Sequence, residues 1–306
     1  MEAVTHWDEL EVSHHELGPM NARWRTADGQ KLGMSRIEVL PGAQSTPAHE
    51  HTTEEELFYV LAGDGLWWQD GATTAIASGD VAFAAPGAGA HTIIAGEQGI
   101  DVLAFGPRHE IEVTHLPRPG VLRIGGVATV RAETKHQWHF EAEAGPVERD
   151  DTDPAGRRPA NVAHVSAVAG THEERPGWEQ VERRIGRHLG ARTTGMTLME
   201  MARAARSCPF HCHSAEEELF VVLEGDGTLR LGEERHDLRR GSVVSRPAGT
   251  RIAHQFIAGD SGMTVLAYSD IDPNDMAFYP DSNKVKLRGL NVMMRVAPVD
   301  YWDGED

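Results

Sequence analysis

Cysteine is scarce in this sequence: Cys208 and Cys212 are the only two among 306 residues. Four positions apart, they supply no disulfide framework, and such usage belongs to a reducing compartment. Long apolar runs are missing as well. No stretch of about eighteen consecutive apolar residues occurs. The start Met1-Glu2-Ala3-Val4-Thr5-His6-Trp7-Asp8 has neither the basic opening nor the apolar core of a secretion signal, so a cytoplasmic protein with no membrane partner is expected. Positive charge is in short supply too. Against 47 Asp plus Glu stand 29 Lys plus Arg, a formal net charge of −18 with histidine neutral. An excess of that sign repels phosphate backbones and anionic lipid, which argues against nucleic acid as a partner.

What the chain does contain, from Gly33-Met34 onward, is a series of short apolar runs between glycine-rich turns, with no helical period of useful length. Leu57-Phe58-Tyr59-Val60-Leu61, Leu66-Trp67-Trp68, Val81-Ala82-Phe83 and Ile100-Asp101-Val102-Leu103-Ala104-Phe105 are separated by Gly63-Asp64-Gly65, Asp70-Gly71 and Pro86-Gly87-Ala88-Gly89. Many short strands at near-regular spacing predict an all-β antiparallel barrel or sandwich. The plan is then repeated. Gly33 matches Gly195, His49 matches His211, Glu56 matches Glu218, Gly63 matches Gly225 and Gly79 matches Gly241, all 162 residues apart (for example 211 − 49), and such an offset means internal duplication. The expected division is a first unit over 1–130 with a leading arm, a linker over 131–160, and a second unit over 161–306 with a tail. The charged, Pro- and Gly-rich stretch 143–156 is read as linker because its composition does not support a core. The acidic, aromatic tail 299–306 is expected to pack across a barrel or a partner subunit.

The duplicated motif carries the chemistry. His49-Glu50-His51 and His211-Cys212-His213 each place two imidazoles two residues apart, on one face of an extended strand. A carboxylate follows five residues after the second histidine, Glu56 and Glu218, and a further histidine closes each set downstream, His91 and His254. Three neutral imidazoles and one carboxylate suit a divalent first-row metal with positions left open for water or substrate. Glu55 and Glu217 are alternatives within the triple-Glu runs. Parity favours Glu56 and Glu218, which keep step with Phe58, Val60, Phe220 and Val222 on the faces expected to point inward.

These motifs resemble the cupin superfamily. The first motif of that family is met by His49-x-His51-x4-Glu56-x6-Gly63 and His211-x-His213-x4-Glu218-x6-Gly225, and the second by Gly79 through Pro86 to His91 and by Gly241 through Pro247-Ala248-Gly249 to His254. In the first copy Pro86 sits one residue late and Ala88 takes the usual glycine place; in the second, four residues rather than two separate Gly249 from His254. The resemblance covers roughly 33–130 and 195–295 and is to two-domain bacterial cupins. It implies two tandem cupin-type β-barrels (jelly-roll, double-stranded β-helix), each with a metal at its centre, up to two Fe, Mn, Ni or Zn ions per chain, and pairing of barrels into a homodimer.

Around those centres, Ile93 and Phe256 lie two residues past the closing histidines and are expected to line the cavities. Phe83, Phe210, Met34 and Met201 are candidates for apolar walls, although ordinary core filling is the commoner role of such side chains. Of Trp67 and Trp68 one must face out. Cys212, between two ligand histidines, is expected to point away from the metal, and Cys208 reads as a small buried hydrophobe. The other eleven histidines, such as His14, His15 and His188, show no ligand spacing.

The functional expectation is a metal-dependent enzyme, an Fe-type oxygenase or dioxygenase acting on a small organic substrate. The alternatives are a non-catalytic metal or small-molecule binder, or a metal-dependent isomerase, decarboxylase or hydrolase. Oxalate decarboxylation is disfavoured because it calls for a cation beside the metal; Gln44 to Ala48 hold none, and Arg206 is the only near candidate in the second copy.

Overall fold

A computed structural model describes residues 4–109, 111–126, 128–130, 137–150, 156 and 158–305. Parts of the expected linker, 131–136, 151–155 and 157, lie outside them, as do Asp306 of the tail and residues 1–3 of the arm.

The chain forms two antiparallel β-barrels built to one plan, each a long sheet faced by a short one. In the first, Glu56–Gln69 pairs with Asp80–Ala84 on one side and His91–Pro107 on the other, followed by Leu32–Val39, Met20–Asp28 and Val12–Leu17. Four short strands, Glu50–His51, Val113–Leu116, Val121–Ile124 and Ala128–Val130, close it. In the second, Glu218–Leu231 takes the place of Glu56–Gln69 and His254–Asp270 that of His91–Pro107, with Cys212–His213 and Met276–Tyr279 in the short sheet. No helix among the described residues is long and apolar enough to cross a membrane.

Chain order and barrel membership part at two points. Val4–His6, in the leading arm, pairs with Ser242–Arg246 of the second barrel, while Val162–His164 pairs with Asp80–Ala84 of the first. The arms are exchanged. The duplicated glycines Gly79 and Gly241 make the exchange possible: their φ angles are +84° and +88°, and a Cβ on Gly79 would stand 2.7 Å from His164 Nε2, one on Gly241 against His6 and Trp7.

Strand alternation sorts side chains between two kinds of core. Phe58, Val60, Trp67 and Ile93 fill the first barrel, and Phe220, Val222, Phe256 and Met201 the second. The opposite faces, with Leu57, Leu103, Leu219 and Val221, meet in one core between the barrels. Met34 and Phe83 belong there, not to a cavity wall, because each is one residue out of step with the inward Ser35 and Ala82. Phe210 also turns outward, beside Cys212 and Ala253, with the Arg230 guanidinium 3.6 Å above its ring. Trp67 faces in and Trp68 out.

The connector is not a free tether. Gln137–Ala144 is helical, with Phe140 buried against Leu116 and Val121; Val147 covers Trp68, whose Nε1 donates to the Glu148 carbonyl at 2.7 Å. A charged composition thus supports a small core after all, because a few apolar side chains cap the outer face of the first barrel. The tail does the reverse. Tyr301 and Trp302 are 84% and 70% exposed, so they pack across neither barrel of their own chain.

Candidate metal centres

Each set of four candidate ligands converges inside its barrel. Glu56 Oε2 lies 2.9 Å from His91 Nε2, 3.3 Å from His51 Nε2 and 3.6 Å from His49 Nε2. In the second barrel Glu218 Oε2 is 3.2 Å from His254 Nε2 and 3.6 Å from His213 Nε2, and His211 joins Glu218 and His254 in a cluster whose ligating atoms lie within 4.8 Å of one another. Ligands at right angles around an ion at about 2.1 Å stand about 3 Å apart, and the glutamate–histidine separations here run from 2.9 to 3.6 Å.

Elements position these groups in a simple way. The two-residue strands Glu50–His51 and Cys212–His213 present one imidazole of each pair. Isolated bridges His49 to His91 and His211 to His254 clamp its neighbour beside the closing histidine. Ring orientation is fixed from behind: His49 Nδ1 bonds the Pro47 carbonyl at 2.8 Å and His211 Nδ1 the Pro209 carbonyl at 2.9 Å, leaving Nε2 to face the centre. Trp67 stacks on His91 with ring centroids 5.2 Å apart, and Tyr279 stacks on His211 at 5.5 Å.

Glu55 and Glu217 are not in the centres. Strand parity sends Glu55 out of its barrel to accept from the backbone N–H groups of Arg192, Thr193 and Thr194, and sends Glu217 to those of Gln30, Lys31 and Leu32.

Two carboxylates that sequence reasoning missed stand behind the second histidine of each pair. Asp275 Oδ2 is 2.7 Å from His213 Nδ1, and Glu112 Oε1 is 3.6 Å from His51 Nδ1. Each also accepts from the backbone just after its histidine, Glu112 from Thr52 and Thr53, Asp275 from Ser214 and Ala215. A signal existed. They are 275 − 112 = 163 residues apart, the same offset as His91 and His254.

Electrostatics within the clusters separates the histidines. Burial lowers the pKa of His91, and burial with His211, Arg246 and His213 nearby holds His254 well below its ordinary value, so both are neutral donors. At His51 burial works against charge, yet Glu56, Glu54 and Glu112 outweigh it and push the pKa up to about 9. Burial alone would raise Glu56; His51, His49 and His91 hold it well below the carboxylate range.

These donor sets fit a divalent metal ion, one per barrel. Beyond the spacing, His51 Nε2, His213 Nε2 and Glu218 Oε2 are buried with no hydrogen-bond partner among the described residues, a cost that a shared cation removes.

Residues 35–104 and 197–268 each match the cupin domain family. The chain is a bicupin. No curated protein sequence matches it. Among solved structures, the bicupin is similar to oxalate decarboxylase from Bacillus subtilis at pH 4.6, with a TM-score of 0.57 and 14% identity over 89% of this chain and 76% of that one. It is likewise similar to the formate complex of Lactobacillus farciminis oxalate decarboxylase, with a TM-score of 0.58 and 14% identity over 88% of this chain and 86% of that one. At such identity the likeness is one of fold.

The cavities beside the two clusters differ. That of the first barrel is about 100 Å³ and is lined by Trp24, Phe58, Trp67 and Phe105 beside His49 and His91. Its one cation, Arg108, is held by Asp28 at 2.8 Å. That of the second is about 610 Å³, with Phe220, Phe256 and Met199 beside His211 and His254 and with Arg184, Arg187, Lys286 and Arg288 on its walls. Ile93 and Phe256 line their cavities. Arg206 does not line the second; it lies 5.2 Å above the Trp178 ring on the outer surface.

Proposed function

We propose that this bicupin is a metal-dependent enzyme acting on a small organic acid in the cavity of the second barrel. In this reading His211, His213, Glu218 and His254 hold the working metal, and His49, His51, Glu56 and His91 hold a second ion beside a much smaller pocket. The observation that carries it is the contrast between about 610 Å³ beside one cluster and about 100 Å³ beside the other. Only the larger has the size of a small-molecule site. When bound, an ion such as iron or manganese supplies Lewis acidity and a redox couple.

The chain's own side chains do the rest. Asp275 orients His213, while Phe220, Phe256 and Met199 keep water from one side of the donor set. Oxygenation is the first reading, since an apolar wall beside an open-sided donor set suits a chelated substrate together with dioxygen. Decarboxylation is the second. The objection that no cation stands near the metal weakens in the second barrel, where four line the cavity. The oxalate decarboxylases sharing this fold, of which the Bacillus subtilis enzyme has Mn(II) centres, lend that reading support.

The test is a panel of organic acids offered to metal-replete protein, with oxygen uptake and carbon dioxide release followed together. His213→Ala is expected to abolish turnover and His51→Ala to leave most of it. Oxygen uptake identifies an oxygenase, and carbon dioxide without net oxygen uptake a decarboxylase. Equal loss in both variants contradicts the assignment to the second barrel.

A further inference from the structure

The cations of the second cavity are out of keeping with the rest of the molecule. The formal charge is −18, and between Arg36 and Arg108 the first barrel has no Lys or Arg at all. Yet four basic side chains share one cavity. They come from two walls: Arg184 and Arg187 belong to the turn and short helix Ile185–Leu189, which joins Trp178–Arg183 to Thr194–Met201 of the long sheet, and Lys286 and Arg288 to the end of Lys284–Leu287 in the short sheet. All four are exposed, whereas His211 and His254 are buried, so the cations ring the mouth and the donor set lies at the floor.

Two of the four are anchored. Arg288 pairs with Glu216, a carboxylate only 2% exposed that also accepts from Asp272 N–H, and Arg184 lies 3.7 Å from Glu182. Glu182, the one rim carboxylate, is thereby engaged, and it also accepts from Gln180 at 3.1 Å. Arg187 and Lys286 have no ion-pair partner among the described residues. Gathering like charges around a concave site with apolar walls is unfavourable until an anion enters, and it focuses a positive potential on the opening.

We propose that Arg184, Arg187, Lys286 and Arg288 form an anion-recognition rim. The second cavity then takes an organic acid whose near end chelates at His211, His213, Glu218 and His254, whose middle lies against Phe220 and Phe256, and whose far end carries a carboxylate or a phosphate-type group. This rests on the reading of that cavity as the substrate site. Arg187 and Lys286 supply the unpaired charge for the far end, while Arg288 and Arg184, tied to Glu216 and Glu182, shape the rim.

Calorimetric titration tests it, with glutarate, 4-phosphonobutyrate and butyrate as probes on the full chain, metal-loaded and metal-stripped. Glutarate and butyrate differ only in the terminal carboxylate. The metal-loaded protein is expected to bind glutarate or the phosphonate about 10-fold more tightly than butyrate, with the advantage falling as salt rises. Arg187→Gln with Lys286→Gln should erase that preference while metal content and the unfolding midpoint stay unchanged. In stripped protein all three bind more weakly, yet the preference survives, because it does not pass through the metal. Whether glutarate or the phosphonate binds more tightly identifies the terminal group. Equal binding of glutarate, the phosphonate and butyrate, or a preference retained in the double variant, overturns the rim alone. If none of the three binds while metal content is intact, the reading as a substrate site fails and the rim with it.

Discussion

Glu55 of the first barrel accepts the Thr194 hydroxyl of the second at 2.8 Å, and the backbone N–H of the same residue at 3.0 Å. Glu217 returns the contact, accepting Leu32 N–H at 3.0 Å. The two carboxylates are 5% and 0% exposed, and each answers three backbone donors that would otherwise be buried without partners. The residue just before each candidate metal-binding glutamate therefore fastens one barrel to the other. Glu55→Ala or Glu217→Ala is expected to cost about 2–4 kcal/mol in urea unfolding while metal content stays unchanged, since unpaired buried donors lose their compensation. An unaltered unfolding midpoint would contradict the clasp.

Asp275 and Glu112 belong to the metal centres by a different route. By holding the Nδ1 side of its histidine, each keeps Nε2 aimed at the ion, and loss of such a partner typically costs about 10–100-fold in metal affinity. Asp275→Asn should weaken the second site by that margin in a chelator competition and leave the first site as it was. Glu112→Gln should have a smaller effect on the first, because its oxygen stands 3.6 Å from His51 Nδ1 where that of Asp275 stands 2.7 Å from His213 Nδ1.

The duplicated motifs made the two barrels and all eight candidate ligands readable from the chain, because strand alternation with period two turns sequence spacing into a common face. Parity also separated Glu56 from Glu55. What escaped was whatever depends on distant segments meeting. The exchanged strands Val4–His6 and Val162–His164 leave no local signal of the barrel they join. Lys286 and Arg187 are 286 − 187 = 99 residues apart, and only the meeting of the two sheets puts them on one cavity. Met34 and Phe83 do fill a core, the commoner role of such side chains, but which core was hidden for a related reason: a second apolar face exists on each sheet, and a side chain filling the junction looks in sequence like one filling a cavity.

The raised pKa of His51 has a consequence for the metal-free protein. Its folded value of about 9 exceeds the ordinary 6.5, so the fold favours the charged imidazole. That contribution to stability is whole below about pH 6.5 and is lost as pH rises through about 9. The urea midpoint of metal-free protein should decline across that window, and less steeply in His51→Gln. Metal loading should reverse the trend, since a ligating imidazole must shed its proton; proton release on titration of the first site checks this.

Cys208 lines the second cavity with its sulfur 3.6 Å from His211 Nδ1, yet burial pushes its pKa from 9.0 up to about 12. Its thiolate, the reactive form, is then much rarer at pH 8 than that of an ordinary thiol. Iodoacetamide should leave Cys208 and Cys212 unmodified in native protein and alkylate both in urea, as mass spectrometry of the intact chain would record. Fast native alkylation of Cys208 would instead mean a thiolate beside the metal centre.

Elemental analysis of protein purified without added metal, compared with His51→Ala and His213→Ala, bears most directly on the two-centre account. Two divalent ions per wild-type chain, falling to one in each variant, is the predicted result, with iron or manganese in the site that His213→Ala empties. A chain that takes up no metal even on reloading, or variants that keep the full wild-type content, would contradict it.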